Sequence, residues 1–325
     1  MNTPLDNFHS KYIFNIVFKH IQMKNILELV RHSKKYQNKL LVDKNTYKNF
    51  FPIILEIIPT SILGPKNTFM HYNYDDLVIT LIKNGGNQEK IKRNYILSED
   101  HAEKIIIKFL NKKITLRNLF NNCSCIKEIT FVKFVKDDIS DMSYMFMNCE
   151  NMENINFTEF KTNSVTDMSY MFKGCITIKI LNLTTLDTSN VVNMEYMFNN
   201  CINLINLNVS SFKTNKVKNM RYMFGFCQKL PELNVKNFNV ENVEDLSNMF
   251  CFCANLVSID LSNFHTQKVK NMSGMFFSCS SLKIVKIPNF IFNNQTKMGE
   301  MFVNTSKDIS IDSGDKDLPR NAFEL

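Results

Sequence analysis

The sequence predicts an α/β solenoid, in which stacked coils pair their strands into a parallel sheet and short helices cover the opposite face. The main observation is a Met-Phe dipeptide that recurs every 26 residues, at Met145, Met171, Met197, Met223, Met249, Met275 and Met301. A fixed period in the twenties is typical of solenoids, whose units stack only on their neighbours. The other two observations are a strand-like and a helix-like spacing of apolar residues within each repeat.

The region before the repeats differs from them in charge. Residues 1–118 carry 19 Lys and Arg against 10 Asp and Glu, whereas residues 119–325 carry 20 against 21. A basic half is typical of nucleic-acid or membrane-surface contact, or of a helical region with lysines on its solvated faces. The lysines are scattered and form no basic-aromatic motif, so we expect the solvated faces and no nucleic-acid partner.

The N-terminal region is predicted to be helical. Residues 1–91 are expected to form a small helical domain, and residues 92–118 a helical N-terminal cap that hides the open end of the solenoid core. The stretch Tyr12–Leu40 places Ile26, Leu27 and Val30 on one helical face. This stretch resembles an F-box-like module, which implies one alternative function, a substrate adaptor whose repeats receive the substrate.

Each repeat is predicted to contain one strand. In the repeat that starts at Met197, Leu207 and Val209 are two residues apart and therefore share one face, which leaves Asn208 on the other. Three residues after the position of Val209, each repeat carries a member of a nearly homogeneous apolar column, which we expect to be buried. Its members are Phe134, Phe160, Leu186, Phe212, Phe238, Phe264 and Phe290.

A short helix is predicted to follow the strand. Its apolar stripe in one repeat is Val217, Met220, Met223, Phe224 and Cys227, spaced as on one face of a helix. A threonine precedes this stripe in four repeats, at Thr162, Thr188, Thr214 and Thr266, where a hydroxyl suits an N-cap. Four tyrosines, Tyr144, Tyr170, Tyr196 and Tyr222, form a column on the same side and are expected to pack there.

The unit MSYMFMNCENMENINFTEFKTNSVTD, residues 142–167, resembles the repeat of BspA-like leucine-rich-repeat surface proteins. The resemblance covers residues 119–303 and implies a leucine-rich-repeat arc of seven coils, with a role in binding or adhesion. Residues 304–325 lose the period and are expected to form a C-terminal cap or tail. A surface adhesin is therefore a second alternative function.

The nine cysteines raise the question of metal binding or disulfides. Seven recur in register, at Cys123, Cys149, Cys175, Cys201, Cys227, Cys253 and Cys279. Paired Cys-x-x-Cys knuckles, the usual structural zinc spacing, do not occur. We therefore expect reduced, metal-free thiols that fill space between coils.

The most suggestive functional feature is a polar row on the outward face of the strands. It consists of Asn156, Asn182, Asn208, Asn234 and Asp260, and we predict that a protein or an extended peptide binds across it. The alternative is a structural ladder, in which the asparagines of adjacent strands bond to one another. No nucleophile elbow, phosphate loop or His-Glu-x-x-His motif occurs. We therefore predict that the chain is a non-enzymatic interaction module and that it uses no cofactor.

No long apolar run or secretory signal is visible in the sequence. We therefore expect no membrane insertion and a cytoplasmic location, with a surface location left open.

Overall fold

The strands fall into two groups, an antiparallel set before residue 110 and a set of mostly short parallel strands after it. The computed structural model describes residues 53–61, 63, 66–71, 77–109, 115–134, 139–157, 160–292, 296–314 and 317–324. The predicted helical module of residues 12–40 lies outside these residues.

The first group contains six strands, which are β1 (Ile53–Pro59), β2 (Asn67–Thr68), β3 (Leu77–Lys83), β4 (Gln88–Ile91), β5 (Tyr95–Ile96) and β6 (Ala102–Phe109). Four of them form an antiparallel sheet in the order β4-β3-β6-β1, and the other two, β2 and β5, pair separately.

The prediction of helices over the described parts of residues 1–91 and 92–118 is wrong. These segments bury every second residue, for example Leu55 and Ile57 in β1 and Ile105 and Ile107 in β6. A period of two, combined with many β-branched isoleucines, favours strands over helices.

The second group forms the solenoid. Its strands are β7 (Ile126–Lys133), β8 (Asn154–Asn156), β9 (Ile180–Asn182), β10 (Asn206–Asn208), β11 (Ser258–Asp260), β12 (Ile284–Lys286) and β13 (Ser310–Asp312). β7 pairs antiparallel with β1 and parallel with β8, so the antiparallel sheet covers the first coil. Parallel pairing continues as β9-β10 and β11-β12-β13, and residues 232–234 between these two sheets form no strand.

The predicted helical face is also wrong, because successive turns replace it in the described residues. Tyr222 has a left-handed backbone, with φ of 53°, and an α-helix does not admit such a residue. The Met223 N–H donates to the Met220 carbonyl within the turn at 3.1 Å, whereas the Tyr222 N–H donates to Ser247 of the next coil at 3.0 Å. Backbone amides therefore alternate between closing a turn and joining two coils.

The predicted N-cap threonines join coils instead of capping helices. Thr162, Thr188, Thr214 and Thr266 are buried, and each hydroxyl accepts a backbone N–H from the next coil. The sequence correctly predicted that these hydroxyls accept a backbone N–H. The donor is, however, 25 residues away in the next coil and not in the same turn.

Stacked phenylalanine rings run through the core. The phenylalanines of the Met-Phe dipeptides stack on one another, and Phe120, which follows Leu119, begins the stack. Neighbouring rings lie 5.3 to 5.8 Å apart and nearly parallel, from Phe120 to Phe302. The predicted column that contains Phe212 and Phe238 is buried as well, which confirms its inward register.

The C-terminal segment covers the last coil. The Phe302 N–H donates to the Ala322 carbonyl at 2.7 Å, and the Glu300 N–H donates to Asn321 at 3.1 Å. The Phe323 ring stacks on Phe302 with centroids 5.4 Å apart. These residues thus take the place of a further coil. Within the described ranges, the helical residues form only single 3₁₀ turns, and none of these is long enough to span a membrane.

Candidate functional site

The predicted polar row lies on the solvent side of the strands. In β10, Leu207 is buried and Asn208 is half-exposed, and the following Val209 is buried again. Asn156, Asn182 and Asn234 are exposed, whereas Asp260 is half-exposed like Asn208. The structure therefore confirms the orientation of the row, and its role in partner binding stays a prediction.

Four members of the row also hold the turn that follows their strand. Each side-chain Oδ1 accepts the backbone N–H two residues later, at 3.1 to 3.2 Å, in the pairs Asn182–Thr184, Asn208–Ser210, Asn234–Lys236 and Asp260–Ser262. Asn and Asp favour such local bonds to their own backbone. The sequence analysis did not predict this turn-holding role.

The turn contacts also determine what the row offers to a partner. The Oδ1 atoms of Asn182, Asn208 and Asn234 are engaged, and their Nδ2 groups have no hydrogen-bond acceptor within the described residues. At Asp260, hydrogen bonds from the Ser262 hydroxyl and backbone N–H, and then the charge of Lys236, hold the pKa below its usual value. These three asparagines thus present hydrogen-bond donors.

An exposed apolar stripe runs beside the polar row. It consists of Ile180, Ile205, Pro231, Val257 and Ile284, one from each of five successive coils. The exposed fractions of the four branched aliphatic residues are 64%, 46%, 46% and 49%, in chain order. Sequence reasoning missed this stripe because its members occupy two neighbouring repeat positions, and these positions elsewhere hold polar residues such as Lys179 and Asn206.

A groove of about 470 Å³ opens between the stripe and the row at the interruption of the sheet. Its lining includes Ile205, Asn206, Glu232, Asn234 and Asp260. Lys236 also lines it and lies 3.7 Å from the Asp260 carboxylate, between Nζ and Oδ2. Glu232 is exposed and has no ion-pair partner in the described part of the chain.

All nine cysteines are buried free thiols, and six of them contact the backbone of the preceding coil. From Cys149 to Cys279, each thiol of the repeat register donates to a phenylalanine carbonyl 29 residues earlier, at 3.0 to 3.3 Å. Burial raises the pKa of Cys201 and Cys279 to about 12. No cluster of potential metal ligands is formed by the residues that the structure describes, and the metal-free, reduced state stays a prediction.

The tyrosine column packs as a stack on the turn side of the solenoid. Neighbouring rings from Tyr144 to Tyr222 lie 4.6 to 4.8 Å apart with interplanar angles of 8° to 13°. Lys173 extends over two of these rings, with Nζ 5.0 Å from the centroid of Tyr196. Because the inner faces of the rings cover one another, this column contributes chiefly to packing.

Comparison with known proteins assigns a family to the repeats. A family model described as "Mycoplasma protein of unknown function, DUF285" matches residues 114–233 and 203–313. Comparisons with curated proteins and with solved structures gave no significant match. Since the matched residues make up more than half of the chain, the protein belongs to the DUF285 family of repeat proteins.

Proposed function

We propose that the chain is a non-enzymatic interaction module that binds a protein or an extended peptide across the sheet face of the solenoid. The observation that carries the proposal is the juxtaposition of an exposed aliphatic stripe with the unused Nδ2 donors of Asn182, Asn208 and Asn234. Exposed apolar surface bordered by polar groups is characteristic of interaction sites. The resemblance to BspA-like leucine-rich-repeat proteins supports a binding role as well.

The chemistry of the face also favours binding. Its side chains are mainly amides, hydroxyls, aliphatic groups and a few charges, for example Asn182, Thr184, Ile205 and Ser258. Amides and hydroxyls lose little free energy on desolvation when a partner replaces their water hydrogen bonds, and aliphatic groups gain from burial. A solenoid repeats such groups over a long surface, which suits a protein or peptide partner.

The test uses a partner identified with the full chain as bait and then purified. Asn206→Arg places bulk and charge in the middle of the face, at an exposed side chain that holds no turn. We expect its dissociation constant for the partner, measured by titration calorimetry, to rise about tenfold or more.

The matched control is Asn215→Arg, which makes the same change at an exposed position outside the strands. Its affinity should equal that of the unchanged chain. If Asn206→Arg binds as tightly as Asn215→Arg, the sheet face is not the recognition surface.

A further inference from the structure

The groove arises from Pro231, which interrupts the hydrogen bonding between adjacent coils. In the neighbouring coil the Ile205 N–H donates to the Lys179 carbonyl at 2.8 Å, and the Lys283 N–H donates to Val257 at the equivalent point. Pro231 occupies the same repeat position and has no N–H, so this bond to Ile205 cannot form. The interruption between β10 and β11 is therefore built into the chain.

The interruption leaves backbone donors without partners. Within the described residues, none of the four N–H groups from Glu232 to Val235 donates a hydrogen bond. Other coils use such groups in ladders, as in the bond from Leu183 N–H to the Asn208 carbonyl at 3.1 Å. Unpaired backbone donors in a groove favour a ligand that carries several acceptor atoms.

The charges of the groove select among acceptor-rich ligands. Lys236 lies beside Asp260, whereas the Glu232 carboxylate has no cation within ion-pair distance in the described part of the chain. An anionic ligand would be repelled by Glu232. Neutral carbonyl oxygens accompanied by a cationic side chain fit both the donors and this carboxylate.

The size and the rim of the groove point to a short segment. The groove spans three coils, from Asn206 to Asp260. Three coils at about 4.8 Å spacing extend over ~10 Å, the length of about three residues of extended chain. Ile205 and Val257 flank Pro231 on the apolar side and remain exposed, so an aliphatic or aromatic side chain of the ligand can be buried there.

We infer that this groove binds a short extended segment of a partner polypeptide that carries a Lys or Arg close to an apolar residue. The backbone carbonyls of the segment accept from N–H groups within residues 232–235 and from the amide of Asn234. The cation pairs with Glu232, and the apolar side chain covers Ile205 and Val257. Main-chain hydrogen bonds combined with side-chain pockets are an established mode of peptide recognition. The inference rests on the proposed function and names its ligand.

The experiment pans a phage-displayed random dodecapeptide library against the full chain and measures the affinity of enriched synthetic peptides by fluorescence anisotropy. We expect enriched peptides to place a Lys or Arg near an apolar residue. Glu232→Lys should weaken them about tenfold or more. The corresponding peptide with its basic residue changed to Glu should bind Glu232→Lys more tightly than it binds the unchanged chain.

A second variant tests the interruption itself. Pro231→Val keeps an apolar side chain at the rim of the groove, like Val257 at the same position of the next coil. It also restores the backbone N–H that Pro231 lacks. It should close the groove and weaken the peptides about tenfold, with a melting temperature at or above that of the unchanged chain. Ile284→Ser, on the same stripe but outside the groove, is the control and should bind normally.

Two results would overturn the inference. One is a library that yields no peptide with specific binding, and the other is a set of peptides that bind Pro231→Val and Glu232→Lys as tightly as the unchanged chain. The proposed function can hold when this inference fails. If a natural partner is weakened by Asn206→Arg but binds both groove variants normally, the sheet face is the interface and the groove is not its peptide site.

Discussion

The Thr188 hydroxyl bonds both polar groups of the Lys213 backbone. It donates to the Lys213 carbonyl at 3.0 Å and accepts the Lys213 N–H at 2.7 Å. Thr188 is fully buried, and the same reciprocal pair joins Thr214 to Asn239 one coil later. These hydroxyls hold adjacent coils together at the corner that follows the buried phenylalanine column.

Thr188→Val tests this contact. The change preserves shape but leaves the N–H and carbonyl of Lys213 without their partner, so we expect the free energy of unfolding to fall by about 1–3 kcal/mol. Urea denaturation followed by circular dichroism measures the difference. Thr188→Ser retains the hydroxyl and should lose less than Thr188→Val, and equal losses would show that the methyl group matters instead.

Phe212→Ala tests the inward column. Phe212 is buried, and its ring lies 6.3 Å from that of Phe238. Removing a packed aromatic side chain should cost about 3–5 kcal/mol in the same denaturation experiment. Phe252, which is 36% exposed, provides the comparison. Phe252→Ala should cost clearly less, and a reversed order would contradict the packing described above.

Gly174→Ala tests the left-handed turn. Gly174 has φ of +73°, and a Cβ there would collide with the Oδ1 of Asn148. We expect a loss of about 1–2 kcal/mol, because alanine is strained in this conformation. Gly299 has no atom within 4 Å of such a Cβ and has no positive φ. Gly299→Ala should therefore change stability by no more than about 0.5 kcal/mol.

Asn208→Arg is expected to destabilise the chain, although Asn208 lies on the outward face of its strand. The Asn208 Oδ1 accepts the Ser210 N–H at 3.1 Å, and arginine cannot replace this acceptor. The loss should be about 0.5–1.5 kcal/mol, the usual contribution of one hydrogen bond. Asn206→Arg, two residues earlier on the same strand, should have almost no effect on the melting temperature. Comparison of the two variants therefore distinguishes the loss of the turn hydrogen bond from the effect of an added surface charge.

The buried thiols predict a loss of stability at alkaline pH. Burial raises the pKa of Cys125, Cys201 and Cys251 to about 12, whereas an unfolded thiol titrates near 8.5, so about 8.5 is where the effect begins. Above that value the unfolded chain releases protons that the folded chain retains, and stability falls as the pH rises toward about 12.

Denaturation midpoints in a reducing agent at increasing pH measure this effect. The folded thiols should also resist iodoacetamide at mildly alkaline pH, since only the thiolate reacts. Rapid alkylation of Cys201 in the folded chain, detected by mass spectrometry, would contradict the burial. Zinc analysis of the same sample tests the predicted absence of metal.

The register of the solenoid was predictable from sequence because its period does not slip. The alternation of Leu207, Asn208 and Val209 determined both faces of the strand, and the buried threonines were recognised as partners of backbone N–H groups. The turn segment was mistaken for a helix because its buried positions, for example Met220, Met223 and Phe224, have spacings that both structures produce. The turn differs from a helix in the positive φ of Tyr222. Tyrosine rarely adopts a positive φ, so the sequence does not indicate this left-handed conformation.

The candidate site was predictable only in part. The row from Asn156 to Asp260 follows from the alternation along the strands, whereas its turn-holding role depends on backbone angles after each strand. The groove results from a hydrogen bond that Pro231 cannot make, which becomes evident only when the neighbouring coils show where that bond belongs.

The closure of the last coil by residues 320–322 has a consequence for how such chains vary in length. Every coil donates its turn amides forward, and the final segment accepts those of Glu300 and Phe302 as another coil would. Recombination that adds or deletes one whole 26-residue unit therefore leaves each of these amides with an acceptor. Copy number can drift in evolution while the terminus still ends the array, and the polar row and apolar stripe lengthen or shorten in step.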